Sequence, residues 1–168
     1  MKLFEAIEKR ASVRELLPAN VSNDEIRKIL DAGRRAPSGK NAQPLEYIVI
    51  KNHDTIKKLE KVQPFIAGAS VVIAIVADPS SRFWLEDASA AAENMFLAIT
   101  ALGYVSCWVE GTLLAQEEWA KELLGVPHDR RLIILLPVGK PATTPVPKEK
   151  KPLAHMVYAE RYGTRMPV

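Results

Sequence analysis

Between positions 10 and 14 the chain reads Arg-Ala-Ser-Val-Arg, a spacing that can set three polar side chains in one row. Side chains of an extended stretch alternate faces, so Arg10, Ser12 and Arg14 share a side while Ala11 and Val13 turn toward the core. At ~3.3 Å per residue the row is about 13 Å long, roughly the distance from a ligand's phosphate to a ring a few bonds away. A guanidinium forks onto phosphate oxygens, and a serine hydroxyl adds one more donor. Taken alone, such a run more often describes a solvated surface loop.

Three further segments carry groups of similar kind. Ala36-Pro37-Ser38-Gly39-Lys40-Asn41-Ala42-Gln43-Pro44 combines a glycine, which permits close backbone approach, with two amides that offer both donors and acceptors to a heterocycle edge. It could equally be an ordinary connection. Ser106-Cys107-Trp108-Val109-Glu110-Gly111 runs from an apolar strand into glycine, where a bare N–H and the flat side of Val109 could meet a ring; a plain strand-ending turn fits as well. Lys148-Glu149-Lys150-Lys151 could aim Lys148 and Lys150 at one anion, or be a solvated charge run.

Other chemistries lack their residues. There is no G-x-G-x-x-G, no Walker loop and no G-x-S-x-G elbow, which removes the Rossmann, P-loop and α/β-hydrolase patterns. His53, His128 and His155 stand at no metal-ligand spacing and read as surface histidines, so no metal site is expected. The single cysteine, Cys107, rules out an intramolecular disulfide and a four-thiolate site, and its apolar neighbours suit inert core more than a nucleophile.

The elements that must position these groups follow from periodicity. Leu3, Phe4 and Ile7 share a helical face, so a first helix ends near Arg10. Ser22-Asn23-Asp24-Glu25 is a capping box, with Val21 and Ile26 as its staple, and it opens a second helix that stops before Pro37. Strands are expected at 45–50, 69–77, 104–109 and 132–138, with helices near 54–62, at 85–102 before Gly103, and at 115–124 before Gly125. Residues 69–77 are almost continuously apolar, as in a strand covered on both faces. The alanines at 88, 90, 91, 92, 98 and 101 suit either a tightly packed central helix or a helix at a dimer seam. Beyond Gly139 a proline- and lysine-rich arm ends in an amphipathic piece, 153–162, which needs something to pack on.

With 168 residues, 48% hydrophobic and 26% charged, the chain suits one globular domain with a real core. The formal charge of +3 is spread among acidic residues without an aromatic-interleaved basic patch, which speaks against nucleic acid. The longest apolar run is far shorter than the ~20 residues that span a bilayer. No leader of signal-peptide form precedes the first helix, so no membrane is expected and a cytoplasmic location is.

Taken together and in this order, the segments resemble the nitroreductase family of FMN-dependent oxidoreductases. The likeness covers nearly the whole chain: Ile7 to Arg14, Ala36 to Pro44, the alanine-rich stretch with Glu93-Asn94-Met95, Leu102 to Gly111, Leu136 to Pro141, and Lys150-Lys151-Pro152-Leu153. It implies an α+β fold, a three-layer α/β/α arrangement with a mixed, mainly antiparallel sheet, forming an intertwined homodimer. Residues 1–140 would be the FMN-binding core and 141–168 an arm of the same domain packing on the partner.

The resemblance also implies roles. Arg10 and Ser12, with Lys148 and Lys150, would hold the FMN phosphate, and Arg14 would lie toward the pyrimidine side of the ring. Pro37, Ser38, Gly39 and Asn41 would come from the partner subunit, and Gln43 would reach the cofactor from the same loop. Val109 and Glu110 would border the flavin, and the Gly111 N–H would meet its N5. Arg14 and Gly111 would tune the flavin, with no side chain assigned as acid or base. NADH or NADPH would be the reductant and a nitroaromatic, quinone or flavin the small-molecule acceptor, in ping-pong fashion. A flavin-binding protein without turnover, or a same-fold enzyme that cleaves flavin or removes halogen, is the alternative. The short segments around 51–68 and 78–82 leave little room for the lid helices of larger members.

Overall fold

A computed structural model describes residues 1–167. Its centre is a three-stranded antiparallel sheet in the order β2 (Leu45–Ile50), β3 (Val71–Ala77), β4 (Arg131–Val138). Every residue of β3 is buried, as its unbroken apolar run requires. Alternation then assigns the faces. Val72, Ala74 and Val76 join Ile56, Leu59, Ile66, Leu113 and Leu135 on one side; Ile73, Ile75 and Ala77 join Ile29, Ala88, Ala92, Met95 and Ile99 on the other. Two apolar layers therefore sandwich the sheet, the three-layer α+β arrangement expected.

One outer layer consists of α2 (Asn23–Arg34) packed on α4 (Trp84–Ala101). At the start of α2 the Ser22 side chain accepts from the Glu25 N–H at 3.3 Å and the Glu25 carboxylate accepts from the Ser22 N–H at 2.9 Å, two otherwise orphaned donors satisfied reciprocally. The helices approach closely because Gly33 has no side chain where the Met95 thioether lies. Ala88, Ala91 and Ala92 are buried in this packing, so for them the chain's own core accounts for the small residues. The opposite layer holds α3 (His53–Lys58), α5 (Gly111–Leu114) and α6 (Glu117–Leu124), the last ended by Gly125 at φ 70°.

Two expectations need correction. Residues 104–109 are no continuous strand; they make isolated bridges, Val105 to Gly139 and Val109 to Leu135 antiparallel, and Ser106 to Ser12 parallel. That register sets Cys107 opposite Pro137, which has no N–H to donate, and the ladder breaks there. The expected helix at 115–124 begins instead at Glu117, after the separate short α5. The parallel Ser12 bridge makes the pairing mixed, mainly antiparallel. A further pair, β1 (Leu16–Leu17) with β5 (Lys140–Pro141), ties the N-terminal segment to the end of β4.

Some apolar surface finds no cover. Helix α1 (Leu3–Lys9) buries Ala6, yet Leu3, Phe4 and Ile7 are 63%, 76% and 47% exposed. The terminal piece contains only a short 3-10 turn, Leu153–His155, and Leu153, Met156 and Tyr162 are exposed. Among the described residues no helix is long and apolar enough to cross a membrane.

Helix α6 is fastened to the sheet by charge. Glu117, side chain 10% exposed, accepts from Arg131 Nε and Nη2 at 2.8 and 2.9 Å and from the Leu132 N–H at 3.0 Å. Burial pushes this carboxyl up, but the Arg131 hydrogen bonds, the Leu132 N–H and the nearby positive charge outweigh it, and the net direction is down from 4.5. A lowered folded-state value stabilises the fold above the unfolded-state value and loses that contribution as pH falls through the folded one. Urea midpoints should thus drop below about pH 4.5. Glu117→Gln should cost about 2 kcal/mol at pH 7, below the buried-pair range because Arg131 is partly exposed, and should flatten the acid limb. An unchanged acid limb would show that another carboxylate governs it.

Candidate functional site

The extended segment 10–14 is held beside the interrupted strand by the Val13 N–H, which donates to the Ser106 carbonyl at 2.9 Å. Alternation holds from Ala11 to Arg14, with Ser12 and Arg14 exposed and Ala11 and Val13 half-buried, but Arg10 at the helix exit is half-buried and departs from the expected row. Arg10 leans on α4, its guanidinium 5.4 Å from the Phe96 ring centre and its Nε 3.5 Å from Glu93. That buried Nε makes no hydrogen bond.

Arg14 reaches a cleft of about 250 Å³ that also contains Val109, Glu110 and Gly111. Its guanidinium lies 6.0 Å from the Phe65 ring centre, and among the described residues it has no carboxylate partner. Glu110, the one acidic residue lining this cleft, is fixed by the Trp108 indole N–H, which donates to its Oε2 at 2.8 Å. Gly111 begins α5, so its N–H has no acceptor within the helix. A Cβ built on Gly111 meets nothing within 4 Å, and its φ lies outside the left-handed region. Neither packing nor backbone conformation demands glycine at this position. Burial pushes the Cys107 thiol up, with the Arg14 charge and the Ser12 hydroxyl opposing it, so Cys107 is an unreactive thiol at neutral pH.

The loop 37–43 lies elsewhere on the chain and shares no lining residue with the Arg14 cleft. Lys40, Asn41 and Gln43 have φ of 54°, 56° and 50°, a left-handed conformation that asparagine tolerates but that costs a lysine or glutamine ~1–2 kcal/mol. Such strain persists only where surroundings over-determine it. Here the Ser38 hydroxyl oxygen accepts from the Gln43 N–H at 3.1 Å, and the buried Asp87 carboxylate accepts from the Gly39 N–H at 2.9 Å. The Phe83 ring lies so close over Gly39 that a Cβ there would sit 2.2 Å from a ring carbon. Gly39 is glycine because of packing, whereas Gly111 is not.

Of the residues singled out from the sequence, the fold therefore gathers Arg10, Ser12, Arg14, Val109, Glu110 and Gly111 along one seam. Pro37, Ser38, Gly39, Asn41 and Gln43 form a second group. Lys148 and Lys150 are exposed on the arm and, among the described residues, touch neither group through an ion pair or hydrogen bond. No cluster of three His, Cys, Asp or Glu side chains among the described residues is placed to hold a metal ion.

The Nitroreductase family model matches residues 7–63 and 57–140. The chain belongs to that family. An Archaeoglobus fulgidus protein, provisionally named an NADH dehydrogenase/NAD(P)H nitroreductase, is 34% identical over 79% of this chain and 81% of its own. A crystal structure of a similarly named protein from Bacteroides thetaiotaomicron superposes with TM-score 0.88 at 27% identity, covering 95% of this chain and 98% of the other. An FMN-dependent nitroreductase from Clostridium difficile shares the fold, with TM-score 0.85 at 24% identity over 95% and 99%.

Several neighbours of this nitroreductase's candidate site escaped the sequence reading. Phe65, Gln63 and Thr112 complete the Arg14 cleft, Gln63 Nε2 donating to Thr112 Oγ1 at 3.1 Å; nothing in sequence connects segments so far apart. Asp87 could have been found, since it is an acidic residue at helical spacing from buried Ala91 and Met95, and a carboxylate on a buried stripe needs a reason.

The two glycines should respond differently to substitution. Gly111→Ala should leave apo-protein stability unchanged or raise it by up to about 1 kcal/mol. Gly39→Ala should cost about 1–3 kcal/mol by overpacking against Phe83. Thermal melts of both variants without added ligand check this, and equal losses would refute the distinction.

Proposed function

We propose that this chain is an FMN-dependent oxidoreductase that takes hydride from NADH or NADPH and reduces a small electrophilic acceptor, such as a nitroaromatic, a quinone or a flavin. The observation that supports it best is the Arg14 cleft: an unpaired cation beside a glycine N–H that the chain's own packing leaves bare. The donors fit the group. Arg10 and Ser12 suit a phosphate, which Lys148 and Lys150 of the arm would join, while Val109 and Gly111 suit a flat ring with acceptors on its edge.

FMN, when bound, supplies hydride transfer from the nicotinamide and onward to the acceptor in two half-reactions. The protein supplies orientation and field. Arg14 would stabilise negative charge on a bound ring, as an oxyanion donor does. Gly111 would offer its N–H to a ring nitrogen, and the Trp108 indole holds the Glu110 carboxylate, which leaves Arg14 without a carboxylate partner. No side chain is needed as a general acid or base.

Because the loop 37–43 lies apart from the Arg14 cleft, a second copy contributes Pro37, Ser38, Gly39, Asn41 and Gln43, and the working unit is a homodimer. The uncovered faces agree: Leu3, Phe4 and Ile7 on α1, and Leu153, Met156 and Tyr162 on the arm, have the apolar character an obligate interface buries. On this reading residues 141–168 wrap the partner and 1–140 form the core. The supply of NAD(P)H and the lone thiol favour the cytoplasm.

The purified protein should be yellow or take up equimolar FMN, and should oxidise NADH or NADPH continuously with a quinone or nitroaromatic. A colourless protein that titrates no FMN ends the proposal, and flavin uptake without turnover would make it a flavin store. Arg14→Ala should still bind FMN while its reduction slows on the order of 100-fold, read by stopped-flow absorbance.

Phe4→Glu places a charge on the uncovered α1 face. Light scattering should show the wild type as a dimer and the variant shifted toward monomer, with flavin lost in parallel. A monomer that keeps its flavin would refute the shared site.

A further inference from the structure

A cleft of about 570 Å³ lies between the strained 39–44 loop and the turn after β3, and its lining carries charges of both signs. It includes Lys40, on the left-handed loop, and Arg82, whose guanidinium lies 5.3 Å from the centre of the Phe83 ring that covers Gly39. Among the described residues neither cation has a carboxylate partner. The third cation of the lining, Arg130, is shared by Glu46 and Asp78 of the lining, each at 3.6 Å, and by Asp129 at 2.9 Å. The carboxylates around Arg130 outnumber its single charge. The Ser80 hydroxyl and N–H hold the Asp78 carboxyl below its ordinary range, so the charge is present at neutral pH. The Asp78 N–H donates to the Pro44 carbonyl at 2.9 Å, which ties the two segments bordering the cleft together.

This cleft is contiguous with the site proposed above, since Gly39 and Gln43 line it and also belong to the loop assigned to the flavin. A substrate that reacts at the flavin and extends into this cleft meets two free cations and the carboxylates around Arg130. Pyrophosphate and a ribose with free hydroxyls complement that set: anionic oxygens for the cations, donors for the acids. A carboxylate at the ribose 2′-hydroxyl accepts its hydrogen and repels a phosphate in its place.

We propose that this cleft binds the ADP-ribose arm of NADH, with Lys40 and Arg82 on the pyrophosphate and the Glu46–Asp78 carboxylates selecting against a 2′-phosphate. The inference rests on the reductase reading and deepens it by making NADH the preferred reductant. The cleft is partly preorganised, because Asp87 and Phe83 hold the loop that carries Lys40.

The test is calorimetric titration of the full chain, with and without added FMN, using ADP-ribose and 2′-phospho-ADP-ribose as probes, alongside steady-state kinetics with NADH and NADPH. ADP-ribose should bind more tightly than its 2′-phosphate and should compete with NADH. Lys40→Ala and Arg82→Ala should each weaken ADP-ribose and raise the KM for NADH roughly tenfold, with kcat and flavin content held. Glu46→Lys, at an exposed position, should raise affinity for 2′-phospho-ADP-ribose and narrow or reverse the NADH preference. Unchanged ADP-ribose affinity in both cation variants, or a wild-type preference for NADPH, overturns the proposal. Failure of the reductase reading looks different: no FMN uptake, while ADP-ribose still binds through Lys40 and Arg82.

Discussion

The hydrogen bond from the Val13 N–H to the Ser106 carbonyl joins two segments that sequence separates by most of the core. Without it Arg14 and Gly111 would have no reason to share a cleft. The constraint works because the stretch 105–109 is pinned on its other side to β4, by the Val105 and Val109 bridges, while Pro137 withholds the donor that would have made the ladder continuous. A full strand there would have committed more of the backbone to the sheet. The interrupted one leaves an edge for a parallel neighbour and lets the chain leave at Gly111 with its N–H free.

The second group of residues is positioned by a different kind of force. The loop at 39–43 sits in a conformation that its lysine and glutamine would not choose, so something must outweigh the local preference. Asp87 and Phe83, both near the start of α4, do so from one side, and the Ser38 hydroxyl does so within the loop. Since α4 is itself locked to α2 across Gly33 and Met95, the rigidity of the loop derives from the helix layer. The two groups thus hang on different layers of the sandwich, the Arg14 seam on the sheet edge and the loop on the helices.

This division explains what could be read in advance. The apolar run of β3, the capping box before α2 and the glycine stops after α4 and α6 are local signals, and each element stands within a residue or two of its expected place. The residues 104–109 misled because β-branched and aromatic composition reports a pleated, half-buried setting, not an unbroken ladder; Pro137, far along the chain, decided that point. Alternation in 10–14 was legible, since it depends on backbone geometry alone. Phe65 beside Arg14 and Phe83 over Gly39 were not, because pairwise packing across the fold leaves no mark in either segment.

The homodimer proposed above has a thermodynamic consequence. A cofactor that takes donors from the Arg14 seam of one copy and the Ser38 loop of another binds the pair and not the separated chains, so cofactor affinity and association are linked, each strengthening the other by the same free energy. The exposed apolar face of α1 then serves as more than a solubility liability. In the proposed dimer its burial would supply the hydrophobic driving force that holds the two half-sites in register, while the strained loop would lose little order on binding, because Asp87 and Phe83 have already fixed it. Association supplies proximity, and the helix layer supplies geometry. Neither alone would place an unpaired arginine, a bare glycine N–H and a row of loop amides around one flat ring.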